Sequence, residues 1–157
     1  MTDNLAQSVL RRALELGATV TTAESCTGGM VAAAITDIAG SSDIFERGFV
    51  TYSNAAKTDM LGVAAATLDA YGAVSEEVAS EMALGAWTAA QATVAVSITG
   101  IAGPGGSEFK PEGRVCFGIA SKDSVQTETV EFGALGRAHV RAAARDHALR
   151  LLLTALS

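Results

Sequence analysis

The stretch Ala23-Glu24-Ser25-Cys26-Thr27-Gly28-Gly29 limits what this chain can fold into more than any other. It follows a β-branched run, Thr19-Val20-Thr21-Thr22, and opens into Met30-Val31-Ala32-Ala33-Ala34-Ile35. That order predicts a strand, a turn rich in hydroxyls and glycine, and then a helix. Such a turn lifts a hydroxyl to the carboxyl end of a strand. It also sets that hydroxyl against unpaired N–H groups at the helix start, which suit a phosphate, a carboxylate or an oxyanion. The glycines let a ligand come close to the backbone. Ser25 is thus the first candidate for a nucleophile. The plainer alternative leaves Ser25 and Thr27 only to cap the following helix.

A chain of 157 residues is expected to form one domain, residues 1–157, with a proper core. Aromatic residues make up only 5% against 49% apolar, so the core must be built from Ala, Val, Ile and Leu. The net charge of −6, with no block of Lys or Arg, makes nucleic acid a poor partner. A small phosphorylated ligand needs only a few donors and stays open. No apolar run approaches a membrane span, so no membrane partner is expected. The start, Met1-Thr2-Asp3-Asn4, lacks the basic-then-apolar order of a secretory signal. Cys26 and Cys116, the only cysteines, read as free thiols. The expectation is a soluble, cytoplasmic protein.

Along the chain, Leu5–Leu16 reads as an amphipathic helix with Val9, Leu10, Ala13 and Leu14 on its apolar face, ended by Gly17. The strand Thr19–Ala23 and a helix from Gly29 to Ile38 follow. A strand over Gly48–Ser53 leads to a helix over Ala55–Leu61, capped by Asn54 and stopped by Gly62. Ala64–Ala70 is a weak helix. Ser75 caps a long one, from Glu76 to Gln91, with a face of Ala79, Met82, Ala83, Ala86 and Ala90. Thr93–Thr99 is the clearest strand and is placed at the centre of the sheet. Strands over Arg114–Ala120 and Val125–Phe132 form an antiparallel pair, and a helix over Arg137–Ala155 closes the chain. The predicted fold is α/β, a single domain with a mixed β-sheet flanked by helices in α/β/α layers.

Several chemistries can be weighed on residue types alone. His139 and His147 lie about two turns apart on the last helix, with no Cys or acid at ligand spacing, so no metal is expected. The same shortage of histidine argues against a Ser-His-acid triad and leaves Cys26 without its usual base. Cys26 remains a rival nucleophile, because a helix N-terminus would lower its pKa. A serine nucleophile here needs another base, and lysine is the alternative. Lys57, early in its helix and against the helix dipole, would have to be kept neutral by burial or by a cationic neighbour. Tyr52 can relay or orient the proton. An ordinary solvated lysine is the plain alternative.

Glu24, directly before Ser25, either orients a ligand hydroxyl or faces water. The glycine-rich loop Gly100–Gly106 leaves a strand end, where open α/β sheets place ligands, or else is a flexible connection. Arg137, Arg141 and Arg145 fall at i, i+4 and i+8, a row able to clamp a phosphate or simply to face solvent.

The motifs Ala23–Gly29, Ile38-Ala39-Gly40-Ser41-Ser42, Phe45–Lys57, Gly72-Ala73-Val74-Ser75 and Thr99–Pro104 closely resemble the C-terminal domain of the competence-damage-inducible protein CinA, the family of stand-alone nicotinamide-nucleotide amidases. The resemblance covers nearly the whole chain. It implies hydrolysis of the carboxamide of nicotinamide mononucleotide to nicotinate mononucleotide and ammonia, in pyridine nucleotide recycling. It implies no metal or organic cofactor and a small-molecule nucleotide as partner. Carried over residue by residue, it makes Ser25 the nucleophile and completes the catalytic set with Lys57 and Tyr52. Glu24, Thr27, Gly28, Gly29, Thr99, Gly100 and Arg137 are then expected to bind substrate. Main-chain N–H groups around Thr27–Gly29, or near Thr99-Gly100, are expected to hold the oxyanion. The loop Gly100–Gly106 and Arg137 are expected to meet the phosphate. The larger CinA proteins carry a further N-terminal domain with no counterpart here, so its activity is not expected. The segment Gly-Ser-Glu-Phe-Lys-Pro-Glu over 106–112 follows the pattern more loosely. A non-catalytic module binding a pyridine nucleotide or another phosphorylated ligand is the alternative. A homo-oligomer is expected from how often soluble enzymes assemble symmetrically.

Overall fold

A computed structural model describes residues 2–157; Met1, where the reading of the N-terminus begins, lies outside them. In chain order the elements are α1 (Thr2–Leu16), β1 (Val20–Glu24), α2 (Met30–Thr36), β2 (Phe49–Val50), α3 (Asn54–Leu61), α4 (Ala65–Tyr71), α5 (Glu76–Ala90), β3 (Val94–Gly100), β4 (Arg114–Ser121), β5 (Ser124–Glu131) and α6 (Arg137–Ala155). The sheet has five strands in the order β2-β1-β3-β4-β5. β1 is parallel to β2 and β3, whereas β3-β4-β5 is an antiparallel meander. The fold is thus α/β with a mixed sheet, and β3 occupies its centre.

Alternation along β3 divides the core. Val94, Val96 and Ile98 join Val9 of α1, Ile35 of α2 and Val140, Leu149 and Leu152 of α6. Ala95, on the other face, meets Leu61 of α3 and Val78, Met82, Ala83 and Ala86 of α5. Full burial of a side chain such as Met82 stabilises the fold by about 1.5–3 kcal/mol. Small residues let α5 lie close on its neighbours. A Cβ on Gly118 would stand 2.5 Å from the carbonyl of Ala79, and one on Gly85 2.0 Å from that of Leu61. Ser97 Oγ, 2.6 Å from the same Ala79 carbonyl, donates to it and fixes that contact.

Three local expectations differ. α1 starts at Thr2 and turns Ala6, Val9 and Ala13 inward, leaving Leu14 half exposed. α3 is capped by Ser53, whose Oγ accepts from the Ala56 N–H at 3.0 Å, one residue before the predicted Asn54. The strand expected over 48–53 shortens to Phe49–Val50. Among the described residues no helix is long and apolar enough to cross a membrane.

The parallel strands β1 and β3 end side by side. The Ser25 N–H still bonds the Ile98 carbonyl at 2.9 Å, and beyond that point the strands part. The turn after β1, the start of α3 and the loop after β3 meet at this edge, where open α/β sheets bind ligands.

Candidate active site

Lys57 is 1% exposed, so its amine cannot be an ordinary solvated charge. Nζ lies 3.0 Å from Ser25 Oγ, 2.9 Å from the Thr51 carbonyl and 3.2 Å from the Tyr52 carbonyl. The chain between β2 and α3 wraps round this amine. Two carbonyls therefore face Lys57 instead of a neighbouring strand, which is why β2 is short. Burial holds the Lys57 pKa below its ordinary 10.5. A neutral amine has two N–H groups and one lone pair. In that form the two carbonyls can take both N–H groups and leave the lone pair for the Ser25 hydroxyl; in the charged form the amine donates to all three oxygens.

The helix-start amides offered to a ligand by the sequence are already engaged. Glu24 is wholly buried, with Oε1 accepting from Gly29 at 3.2 Å and Val31 at 2.9 Å, and Oε2 from Ala32 at 3.0 Å. Gly29 offers no capping side chain to α2, so the carboxylate supplies the missing anion. Glu24 faces this helix and not a ligand. The Gly28 N–H is likewise engaged, donating to the Ser25 carbonyl at 3.0 Å. Thr27 is fully buried, and its carbonyl accepts from Arg141 Nη2 at 3.3 Å. Arg141 Nε donates to the Cys26 carbonyl at 3.0 Å. The thiol of Cys26 behaves opposite to the shift expected at a helix N-terminus: burial pushes its pKa up to about 11.

Ser25 and Lys57 open into a cavity of about 380 Å³ whose far wall is Thr99 to Ser107 and whose mouth carries Tyr52, Asn54 and Arg137. The model of the CinA C-terminal domain family matches residues 2–156. The chain belongs to this family. The nicotinamide-nucleotide amidohydrolase PncC of Escherichia coli (strain K12) is 59% identical over 137 residues, 87% of this chain and 83% of that protein. The protein of the same name from Enterobacter agglomerans is 69% identical over 105 residues, 66% of this chain and 64% of that protein. A CinA-like protein of Chlorobium phaeobacteroides (strain BS1) is 50% identical across 91% of this chain, which spans only 35% of its length. Among solved structures, the competence/damage inducible protein CihA from Agrobacterium tumefaciens superposes with a TM-score of 0.94 at 46% identity, covering 99% of this chain and 94% of its own. A CinA superfamily protein from Klebsiella pneumoniae 700603 gives 0.95 at 38% identity, covering 99% and 98%.

The other residues singled out from the CinA motifs are placed unevenly. Tyr52 gives Lys57 only its carbonyl; its phenol, well exposed, accepts from Arg137 Nη2 at 2.7 Å. Thr99 lines the cavity, but its hydroxyl donates to the Ala73 carbonyl at 2.8 Å. Gly100 lines the cavity beside it. Of the three arginines in a row, only Arg137 reaches the cavity; Arg141 holds the Ser25 turn, and Arg145 pairs with Asp146 and Thr2. The far wall is tethered at both ends. Glu112 accepts from the N–H groups of Gly105 at 2.6 Å and Gly136 at 3.0 Å. Lys110 donates to the Tyr71 carbonyl at 2.7 Å, and Arg137 Nη1 to the Gly103 carbonyl at 2.7 Å. Asn54, read from sequence only as a cap, is a cavity residue that the sequence reading missed. Its signal was its place three residues before Lys57, on one turn of helix.

Proposed function

We propose that this chain hydrolyses the carboxamide of nicotinamide mononucleotide to nicotinate mononucleotide and ammonia, with Ser25 as nucleophile and Lys57 as its base. The observation that carries this is the buried amine of Lys57, 3.0 Å from Ser25 Oγ and 2.9 and 3.2 Å from two main-chain carbonyls. Membership of the CinA family and the names of the E. coli and Enterobacter relatives support the substrate. Lys57 takes the Ser25 proton as Oγ attacks the amide carbon. The protonated amine then delivers that proton to the departing ammonia. Water, activated by the same lysine, clears the acyl-enzyme and restores the serine. Every group in these steps belongs to the chain, the substrate or water.

Arg137 and the loop Gly100–Gly106 are assigned to the nucleotide's phosphate. Tyr52 acts as a positioning residue through its two contacts: its carbonyl orients Lys57 and its phenol orients Arg137. The protein is placed in the cytoplasm, in pyridine nucleotide recycling, as a homo-oligomer.

The test is ammonia release from nicotinamide mononucleotide by the purified protein beside Ser25→Ala and Lys57→Ala. Turnover abolished in both variants is the expected result. Activity surviving Ser25→Ala would sink the serine mechanism. Saturable nucleotide binding without turnover would instead favour a non-catalytic binding module.

A further inference from the structure

We propose that the oxyanion of this reaction is held by the main-chain N–H of Gly100, with the N–H of Cys26 beside it; this rests on Ser25 being the nucleophile. The ladder between β1 and β3 runs from Val20 opposite Val94 to Glu24 opposite Ile98. The Val94 N–H donates to the Thr19 carbonyl at 3.1 Å, and Ile98 accepts from the Ser25 N–H at 2.9 Å. Residues of β3 at even positions thus turn their main-chain groups toward β1, as the evenly spaced parallel pattern requires. The next rung would carry the Gly100 N–H to the Ser25 carbonyl. That carbonyl instead accepts from Gly28; toward β4, Gly100 lies opposite Val115 at a non-bonded rung, so among the described residues its N–H has no acceptor. The Ile101 N–H, pointing the other way, is bonded to the Arg114 carbonyl at 2.9 Å.

An unpaired main-chain donor at the end of a buried strand is costly unless something fills it. Here the strand end cannot relax. A Cβ at Gly100 would lie 2.6 Å from Val115 Cγ2 and 3.0 Å from the Arg114 carbonyl, so Gly100 packs flat on β4. Its free donor faces the side where Ser25 stands, in the wall of the same cavity. Cys26 supplies the second donor by peptide geometry. C=O and N–H of a trans peptide point in opposite directions. With the Ser25 carbonyl turned to Gly28, the Cys26 N–H faces away from that carbonyl, alongside the residue's own Sγ, and Cys26 lines the cavity. The amide following a nucleophilic serine has this role in other folds.

In the step itself, the Ser25 Oγ–carbon bond forms and the carbonyl π pair moves onto oxygen, while the hydroxyl proton goes to Lys57 Nζ. The two N–H groups meet the negative oxygen. On collapse the pair returns, the C–N bond breaks, and the Lys57 proton leaves with ammonia.

The test uses the whole protein, labelled with nitrogen-15, and pyridine-3-boronic acid, whose boron becomes a tetrahedral anion on bonding Ser25 Oγ. The Gly100 and Cys26 amide signals are expected to move downfield in wild type and to stay in place in Ser25→Ala. A tetrahedral boron-11 signal with an unmoved Gly100 amide overturns the oxyanion assignment alone. Absence of that boron signal at saturating boronate removes the nucleophile, and the proposal with it. Replacing the Gly100 amide by an ester deletes the unpaired donor and weakens the Thr99 carbonyl as an acceptor in the β3–β4 ladder, an effect that a thermal melt reads separately. It is expected to lower kcat by about 10²–10³-fold with little change in KM. A kcat close to that of the unmodified protein overturns the proposal.

Discussion

Arg141 reaches from α6 to the turn that carries Ser25, with Nε 3.0 Å from the carbonyl of Cys26. Gly28 leaves room for it: a Cβ there would lie 3.2 Å from Nη2. The guanidinium fixes the peptide planes on either side of Thr27 and does not itself line the cavity. It therefore acts on the reaction only through the position of Ser25 and its neighbouring amides. Arg141→Gln is expected to lower kcat by roughly 10²-fold with little change in KM, since misplacing a reacting group costs about that much. Steady-state kinetics and a thermal melt on the same sample check it. A rise in KM at constant kcat would mean that Arg141 binds substrate.

The buried amine of Lys57 makes both activity and stability depend on pH. Its folded pKa lies below the ordinary 10.5, so a base at this position is expected to become active at lower pH than a free lysine would. kcat/KM is expected to rise with pH and level off below 10.5; Lys57→Arg, always protonated, should show no such rise. Between the folded pKa and the unfolded one, the unfolded chain holds the extra proton. Stability therefore rises with pH across that window and is lost as pH falls through the folded value. Urea unfolding from pH 7 to pH 10 should show this slope in wild type and lose it in Lys57→Met.

Cys26 is expected to be chemically quiet. With its pKa pushed up to about 11, only about one thiol in 10⁴ is ionised at pH 7. Iodoacetamide at pH 7 should leave activity intact over hours. Cys26→Ala should retain kcat within about threefold, because its N–H and carbonyl survive the change.

Glu24→Gln should destabilise the fold by about 2 kcal/mol, the range for hydrogen bonds to a charged group. The amide keeps the volume of the carboxylate but loses the charge and one acceptor facing the amides of Gly29, Val31 and Ala32. Chemical unfolding measures the loss directly.

Much of this architecture is legible in the residues. α6 spans the predicted Arg137–Ala155 because Gly136 breaks the chain before it and apolar residues recur through it at helical spacing. β3 announces itself by β-branched residues buried on both faces. Glu24 was harder, because a strand buried on both faces gives no polar alternation to say where a carboxylate points. A usable signal lay further on: Gly29-Met30-Val31-Ala32 begins a helix with neither a capping side chain nor an acid in its first turn. The arginine row misleads for a geometric reason. Eight residues of helix cover about 12 Å, so Arg137, Arg141 and Arg145 meet the cavity mouth, the Ser25 turn and the N-terminus of α1 in succession. Tyr52 misleads because its main chain and its ring serve different partners, which no sequence pattern encodes.

The tethered far wall of the cavity has an evolutionary consequence. Lys57 and the two carbonyls that hold it come from residues 51–57 and Ser25 from the turn after β1, while the loop from Thr99 to Glu112 is fastened by its own contacts to Tyr71, Gly136 and Arg137. Apart from the Gly100 N–H, the groups assigned to bond-breaking and the loop facing the rest of the ligand thus lie on separate segments of the chain. Changes beyond Gly100 in that loop are expected to alter which ligand fits while leaving the serine and its lysine as they are.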